Sequence, residues 1–140
     1  QFHFFLPQFF PFQEFSAVSL KNLKAIITLK NILKNGNYNI LHCHTPMGAV
    51  VARLAGKSFR KNGLKIIYTA HGFHFYKGAP IFNWIMFYPV EKWLSKYTDV
   101  LVCINEEDYE LAMRKKFKAK KIVKIDGVGV NLEKYNQLSL

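Results

Sequence analysis

Acidic residues are scarce in this chain: 9 Asp and Glu stand against 20 Lys and Arg, a formal net charge of +11 over 140 residues. Such a field attracts nucleic acid, anionic lipid headgroups or phosphorylated small molecules, and charge alone does not choose among them. No recognition-helix or RNA-binding motif accompanies the charge, which ranks nucleic acid last and gives the expectation of no nucleic-acid partner. Cysteine is almost as scarce. The two present, Cys43 and Cys103, sit in apolar runs with no close Cys spacing, which excludes a disulfide framework or a zinc ribbon and fits a reducing, cytosolic compartment. The opening stretch Gln1 to Phe15 has seven Phe but neither the cationic start nor the unbroken apolar run of a signal peptide, and it is too short and interrupted to span a bilayer. What is abundant is apolar: half of all residues, thirteen of them Phe, which excludes a disordered chain and favours one globular domain or part of a larger one.

Periodicity divides the chain into alternating helices and strands. Ser19 is an N-cap candidate for a helix to about Lys34, with Leu20, Leu23, Ile26, Ile27 and Leu33 on one face and Gly36 as its stop. Tyr38 to Cys43 reads as a strand. Thr45 and Pro46 then occupy the cap and first-turn positions of a helix through about Lys61, which Asn62-Gly63 ends. Leu64 to Ala70 is the next apolar strand, Gly72 to Pro80 a Gly- and aromatic-rich loop, and Ile81 to Tyr97 a helical stretch that Pro89 must kink or split. Asp99 to Ile104 returns as a strand. Asn105 caps a helix with Glu106, Glu107 and Asp108 in its first turn and Arg114, Lys115 and Lys116 in its last, the order that complements the helix dipole. Lys121 to Ile125 is a final short strand. Strands alternating with crossover helices imply an α/β fold: a Rossmann-like, mostly parallel sheet with flanking helices and right-handed connections.

Four chemically loaded clusters directly follow the strands: His42-Cys43-His44-Thr45, Thr69-Ala70-His71-Gly72, Ile104-Asn105-Glu106-Glu107 and Gly127-Val128-Gly129. Ligands of open α/β sheets collect beyond the carboxyl ends of the strands, so these clusters outline one site. His71 ends a strand and precedes Gly72, which leaves space beside a ring that titrates in the range useful for acid–base or phosphate-contact work. A histidine capped by a neighbouring carbonyl is the competing account of it. His42 and His44 share one face of their strand because side chains alternate, and with His71 and His74 they suggest a metal cluster. No carboxylate lies at ligand spacing, so no metal is expected.

Other features carry two readings each. Thr45 to Gly48 opens a helix whose amides and dipole suit a phosphate or a sugar hydroxyl, although every helix has such an end. The loop Gly72 to Gly78 offers aromatic faces, a cation and glycines for gripping a sugar or a lipid-linked acceptor, or else packs its rings into the core. Arg114 to Lys121 holds six cations in eight residues and reads either as a phosphate or lipid contact or as a solvated helix end. Trp84, Phe87, Tyr88 and Trp93, beside Lys92 and Lys96, form an interfacial belt or a buried helix face.

The segments Ile40 to Gly48, Tyr68 to Phe75, Glu91 to Ser95 and Ile104 to Asp108 together resemble the amino-terminal domain of a bacterial family-four glycosyltransferase, nearest to its exopolysaccharide and capsule branch. The resemblance runs from about Ser19 to Tyr135, with His-x-His-Thr-Pro and Thr-Ala-His-Gly-Phe-His as its most specific parts. It implies a two-domain B-type enzyme that transfers a sugar from a nucleotide-sugar co-substrate with retention at the anomeric carbon and without a metal or other cofactor. The amino-terminal domain would hold a lipid-diphosphate-linked sugar acceptor, in peripheral contact with the cytoplasmic face of the membrane. Carried over by position, His71 would hydrogen-bond the donor sugar near the reaction centre and steady developing charge. His44 and Thr45 would line the acceptor side beside Gly72, and Asn105 with Glu106 would border the cleft. Gly127-Val128-Gly129-Val130-Asn131 resembles the turn leading to a donor domain.

The resemblance also has departures. Family members open with a glycine-rich loop after a first strand, which Gln1 to Phe15 does not resemble, and Asp126 stands where a proline is common. They carry a second domain whose paired glutamates grip the nucleotide. The expectation is therefore an atypical Phe-rich segment over 1–18, an acceptor-side Rossmann-like domain over 19–135 and no donor-binding domain. Such a truncated or split glycosyltransferase would not turn over alone, and its nucleotide-sugar would be held by a missing or separate donor domain. A non-catalytic module that binds acceptor or a partner is the alternative.

Overall fold

The computed structural model describes residues 20–127. The Phe-rich segment, the expected Ser19 cap, and Val128 to Leu140, with Gly129 and the rest of the expected turn, lie outside the described residues. In chain order the elements are α1 (Leu20–Asn35), β1 (Ile40–Cys43), α2 (Pro46–Gly56), β2 (Lys65–Ala70), α3 (Ile81–Met86), α4 (Tyr88–Leu94), β3 (Val100–Cys103), α5 (Glu106–Arg114) and β4 (Lys121–Lys124). The four strands form one sheet in the order β1-β2-β3-β4, every pair parallel, as the alternation of strands and crossover helices implies.

Register explains where the core lies. Residues aligned across parallel strands share a face, so Cys43, Tyr68, Leu101 and Ile122 form one row, and Ala70 and Cys103 extend the next. This face is covered by Ala49, Ala52 and Ala55 of α2, Leu111 and Ala112 of α5, and the rings of Phe73, Phe75 and Phe117. Small residues on α2 let the helix approach the sheet closely, and a methyl at Gly56 would stand 2.9 Å from the Ile66 Cδ1. Burying each large apolar side chain contributes roughly 1.5–3 kcal/mol, which makes this layer the main stabilising contact. Both cysteines are free and buried in it, and burial pushes each thiol up to about 12, so neither is a thiolate near neutrality.

Several boundaries differ from the sequence reading. The helix expected through Lys61 ends at Gly56, and a 3₁₀ turn over Phe59–Asn62 follows, closed by Gly63 at φ 98°. That tighter turn lets Arg60 reach across to Asp99, which it grips through Nε and Nη2 at 3.0 Å each. The stretch from Ile81 does break, but at Phe87 rather than Pro89. Pro89 lies in the first turn of α4, where its missing N–H has no intrahelical partner to lose. Lys115 and Lys116 fall outside α5, since Lys116 is left-handed at φ 52°. On α1, Leu33 is buried and Ile26 packs on the core, but Leu23 and Ile27, expected on the same face, are exposed.

Candidate functional site

The carboxyl ends of β1 and β2 bring the predicted histidines together. His44 Nδ1 lies 3.3 Å from His71 Nε2, and the His42 ring lies 4.3 Å from that of His44, tilted by 40°, with its Nε2 2.9 Å from the Thr69 hydroxyl. Strand alternation produces this ladder: His42 and Thr69 point away from the helix-covered face, opposite to Cys43 and Ala70. The paired rings share one proton, one nitrogen donating and the other accepting, while the Nδ1 edge of His71 faces away from the contact. Burial lowers the His44 pKa, and nearby His71 lowers it further; burial and His44 do the same to His42. Both rings are therefore held neutral at pH 7, suited to hydrogen-bonding a hydroxyl and poised to gain charge beside an anion.

Two backbone features frame this pair. Gly72 follows His71 at φ 149°, a conformation that favours glycine, and a Cβ added there would meet nothing within 4 Å. Thr45 is extended and caps α2, its Oγ1 accepting from the Gly48 amide at 3.1 Å. A methyl at Gly48 would stand 2.7 Å from that oxygen, so the glycine keeps the cap closed. The first turn of α2 thus starts immediately beside His44, as the reading of Thr45-Pro46 expected.

Asn105 and Glu106 occupy the end of β3. Asn105 caps α5: its Oδ1 accepts from the Asp108 amide and its Nδ2 donates to the Asp108 carboxylate, both at 2.8 Å. Glu106 pairs with Lys124 at 2.6 Å, and the contact raises the lysine pKa. Given the strand order, His44, His71, Asn105 and Lys124 follow one another along the sheet's edge, spanning about 15 Å at the usual strand spacing. Among the described residues no group of three or more His, Cys, Asp or Glu is arranged to hold a metal ion, and His74 stands apart, its ring 4.9 Å from Phe87.

The loop after His71 takes the core-packing reading for two of its rings. Phe73 and Phe75 are buried and stack at 4.9 Å, while Tyr76 is exposed. The backbone of this loop is tied to the first turn of α5: Phe73 donates to Asp108 at 3.1 Å and Lys77 donates to Glu107 at 2.8 Å. Sequence reasoning treated those acids only as a dipole pattern, so the role of Asp108 in setting the His71–Gly72 turn was missed. It also missed Arg53, which is fully buried and bidentate to Glu91 of α4 at 2.6 and 2.9 Å. The single charge inside the apolar run of α2 was the available signal, because a buried charge requires a partner.

Comparison with known proteins identifies the family. Residues 6–105 match the family described as "Glycosyl transferase 4-like". The chain is 51% identical over 119 residues to a protein of Bacillus subtilis (strain 168) named as glycosyltransferase EpsD, covering 85% of this chain and 31% of that protein. It is 28% identical over 120 residues to an Escherichia coli protein named UDP-Gal:alpha-D-GlcNAc-diphosphoundecaprenol alpha-1,3-galactosyltransferase, covering 83% of this chain and 30% of the relative. The chain therefore spans about a third of the length of these curated relatives.

Proposed function

The chain belongs to the Glycosyl transferase 4-like family, and we propose that it forms the acceptor side of a retaining glycosyltransferase that moves a sugar from a nucleotide-sugar onto a lipid-diphosphate-linked sugar. The observation that carries the reading is the His44–His71 pair at adjacent strand ends, beside the uncrowded Gly72 and the start of α2. The Escherichia coli relative is named for this donor and acceptor chemistry.

In the reaction, the bond between the anomeric carbon and the donor diphosphate breaks while a bond to an acceptor hydroxyl forms, and that hydroxyl's proton passes to an oxygen of the departing nucleoside diphosphate. His71 presents its Nδ1 edge to a sugar hydroxyl near the reacting carbon, where a positioned ring steadies developing charge. His44 and Thr45 line the acceptor side, Gly72 lets the substrate approach the backbone, and Asn105 and Glu106 bound the far end. None of these roles calls on a metal or other cofactor. The work is placed at the cytoplasmic face of the membrane, in exopolysaccharide or capsule synthesis. The donor nucleotide is gripped by residues other than these 140, so the acceptor-side domain over 19–135 holds acceptor without turning over.

The test supplies the purified chain with labelled UDP-sugars and a short-chain lipid-diphosphate-linked N-acetylglucosamine. Saturable acceptor binding, weakened by His44→Ala and without sugar transfer, is expected. Absence of acceptor binding, or acceptor binding that His44→Ala leaves untouched, overturns the proposal.

A further inference from the structure

The geometry points to the outer face of α3 and α4 as a surface that docks on an anionic lipid bilayer. Ile81, Phe82, Ile85, Met86, Val90 and Trp93 are all exposed, with Ile81 at 77%, Ile85 at 66% and Phe82 at 65%. The spacing 82, 86, 90, 93 runs as one stripe across both helices, while Trp84, Phe87, Tyr88 and Leu94 turn inward onto the core. Both sides of this helix pair are thus apolar. Scattered exposed apolar residues need no explanation, but a contiguous stripe of six marks an interaction site.

Charge selects the partner. Between Lys77 and Tyr97 the only acidic residue is Glu91, and the Arg53 pair turns it inward at 7% exposure. Every charge this segment shows to solvent is therefore cationic. Lys96 sets its Nζ 4.6 Å from the Trp93 ring and 5.0 Å from Tyr97, and the Lys92 Nζ donates to the Tyr88 hydroxyl at 3.1 Å, so both half-buried ammonium groups lie on aromatic surface at the edge of the stripe. Trp93 and Tyr97 meet edge to face at 5.5 Å, and such amphipathic rings favour the headgroup region. Protein interfaces are depleted in lysine at their cores, whereas apolar side chains flanked only by lysines supply the two signals a stable membrane contact needs. No helix among the described residues is long and apolar enough to cross a membrane, so the contact is interfacial. The docking rests on the proposed acceptor only for which membrane it meets; the contact itself is with lipid headgroups.

Sedimentation of the full chain with vesicles of phosphatidylcholine alone or with phosphatidylglycerol, without donor or acceptor, tests this. We expect binding to the anionic vesicles, weakened by salt, with a blue shift of Trp emission. Phe82→Ser with Ile85→Ser should lower binding about tenfold or more, and Lys92→Glu with Lys96→Glu should abolish the preference for anionic lipid. Phe82 and Ile85 face solvent, so circular dichroism of that pair should stay that of the parent, and the lysine pair is scored alongside its own spectrum. A control pair in the other basic stretch, Lys116→Glu with Lys118→Glu, should weaken binding less. No vesicle binding, binding that Phe82→Ser with Ile85→Ser leaves unchanged, or a dimer that buries the stripe in place of lipid would each overturn the proposal. If acceptor binding fails while vesicles still bind, the acceptor reading alone falls; the reverse result removes the docking surface alone.

Discussion

Replacing Glu91 by Gln tests the buried link between α2 and α4. Arg53 is fully buried and uses three groups: Nε to the Ala49 carbonyl at 2.9 Å, Nη1 to Glu91 Oε1 at 2.6 Å and Nη2 to Oε2 at 2.9 Å. Its guanidinium also lies 4.8 Å over the Tyr68 ring. Burial works against the arginine's charge and Glu91 outweighs it; without Glu91 the guanidinium still stays charged, because its intrinsic basicity is too high for deprotonation in a protein. The amide would then place an NH₂ against Nη2 and leave that charge uncompensated. An ion pair about 4 Å between charge centres is worth about 4 kcal/mol at an effective dielectric constant near 20, and removing one partner of a buried pair costs about 3–5 kcal/mol. The expected loss is therefore about 4 kcal/mol, close to a thousandfold in the folding equilibrium and a large share of a small domain's stability. Urea unfolding followed by Trp fluorescence reads it as a lower midpoint. Arg53→Met with Glu91→Leu, which removes both charges, should recover most of the loss. A single variant within about 1 kcal/mol of the parent, or a double variant as unstable as the single, would refute the reasoning.

Three further outcomes follow from the site. Because the folded-state pKa values of His42 and His44 are lowered, the unfolded chain binds more protons below the ordinary histidine value; stability should fall with acid in that window and recover as pH rises, and NMR should show both rings titrating below the ordinary value near 6.5. Asp108→Ala removes the acceptor for the Phe73 amide and for Asn105, and should cost about 1–3 kcal/mol while loosening the His71–Gly72 turn, read as faster amide exchange over that loop. Burial alone would raise the Asp99 pKa, but hydrogen bonds from Arg60, the Ile66 amide and Lys120 hold it well below the carboxylate range; Asp99→Asn should therefore destabilise at neutral pH and flatten acid unfolding below the ordinary carboxylate value, measured by urea midpoints.

The parallel α/β architecture was legible because each strand is short, apolar and followed by a polar cluster, and because Thr45-Pro46 and Asn105 with its acidic turn are caps with a mechanism. His44 and His71 were legible as candidates from strand-end position, but not as partners, since contact between β1 and β2 depends on a register that periodicity does not give. The split at Phe87 was misplaced at Pro89 because proline is tolerated in a first helical turn as readily as it breaks an interior one. The rings of Phe73 and Phe75 could not be assigned to core or groove from composition, because an aromatic serves both, and the backbone tethers from Phe73 to Asp108 and from Lys77 to Glu107 join residues too far apart in the chain to be read from it. The Arg53–Glu91 pair joins residues far apart in the chain, and a lone charge in an apolar run shows that a partner exists without naming it.

The central claim is that the His44–His71 edge receives a sugar linked to a lipid diphosphate. Its most direct measurement is a titration of the isotope-labelled chain with a short-chain lipid-diphosphate-linked N-acetylglucosamine, following the imidazole signals by NMR. The account predicts saturable shifts of His44 and His71, with the His44 pKa moving up as the diphosphate approaches, and smaller changes at His74. Unmoved His44 and His71 signals at saturating acceptor would contradict it.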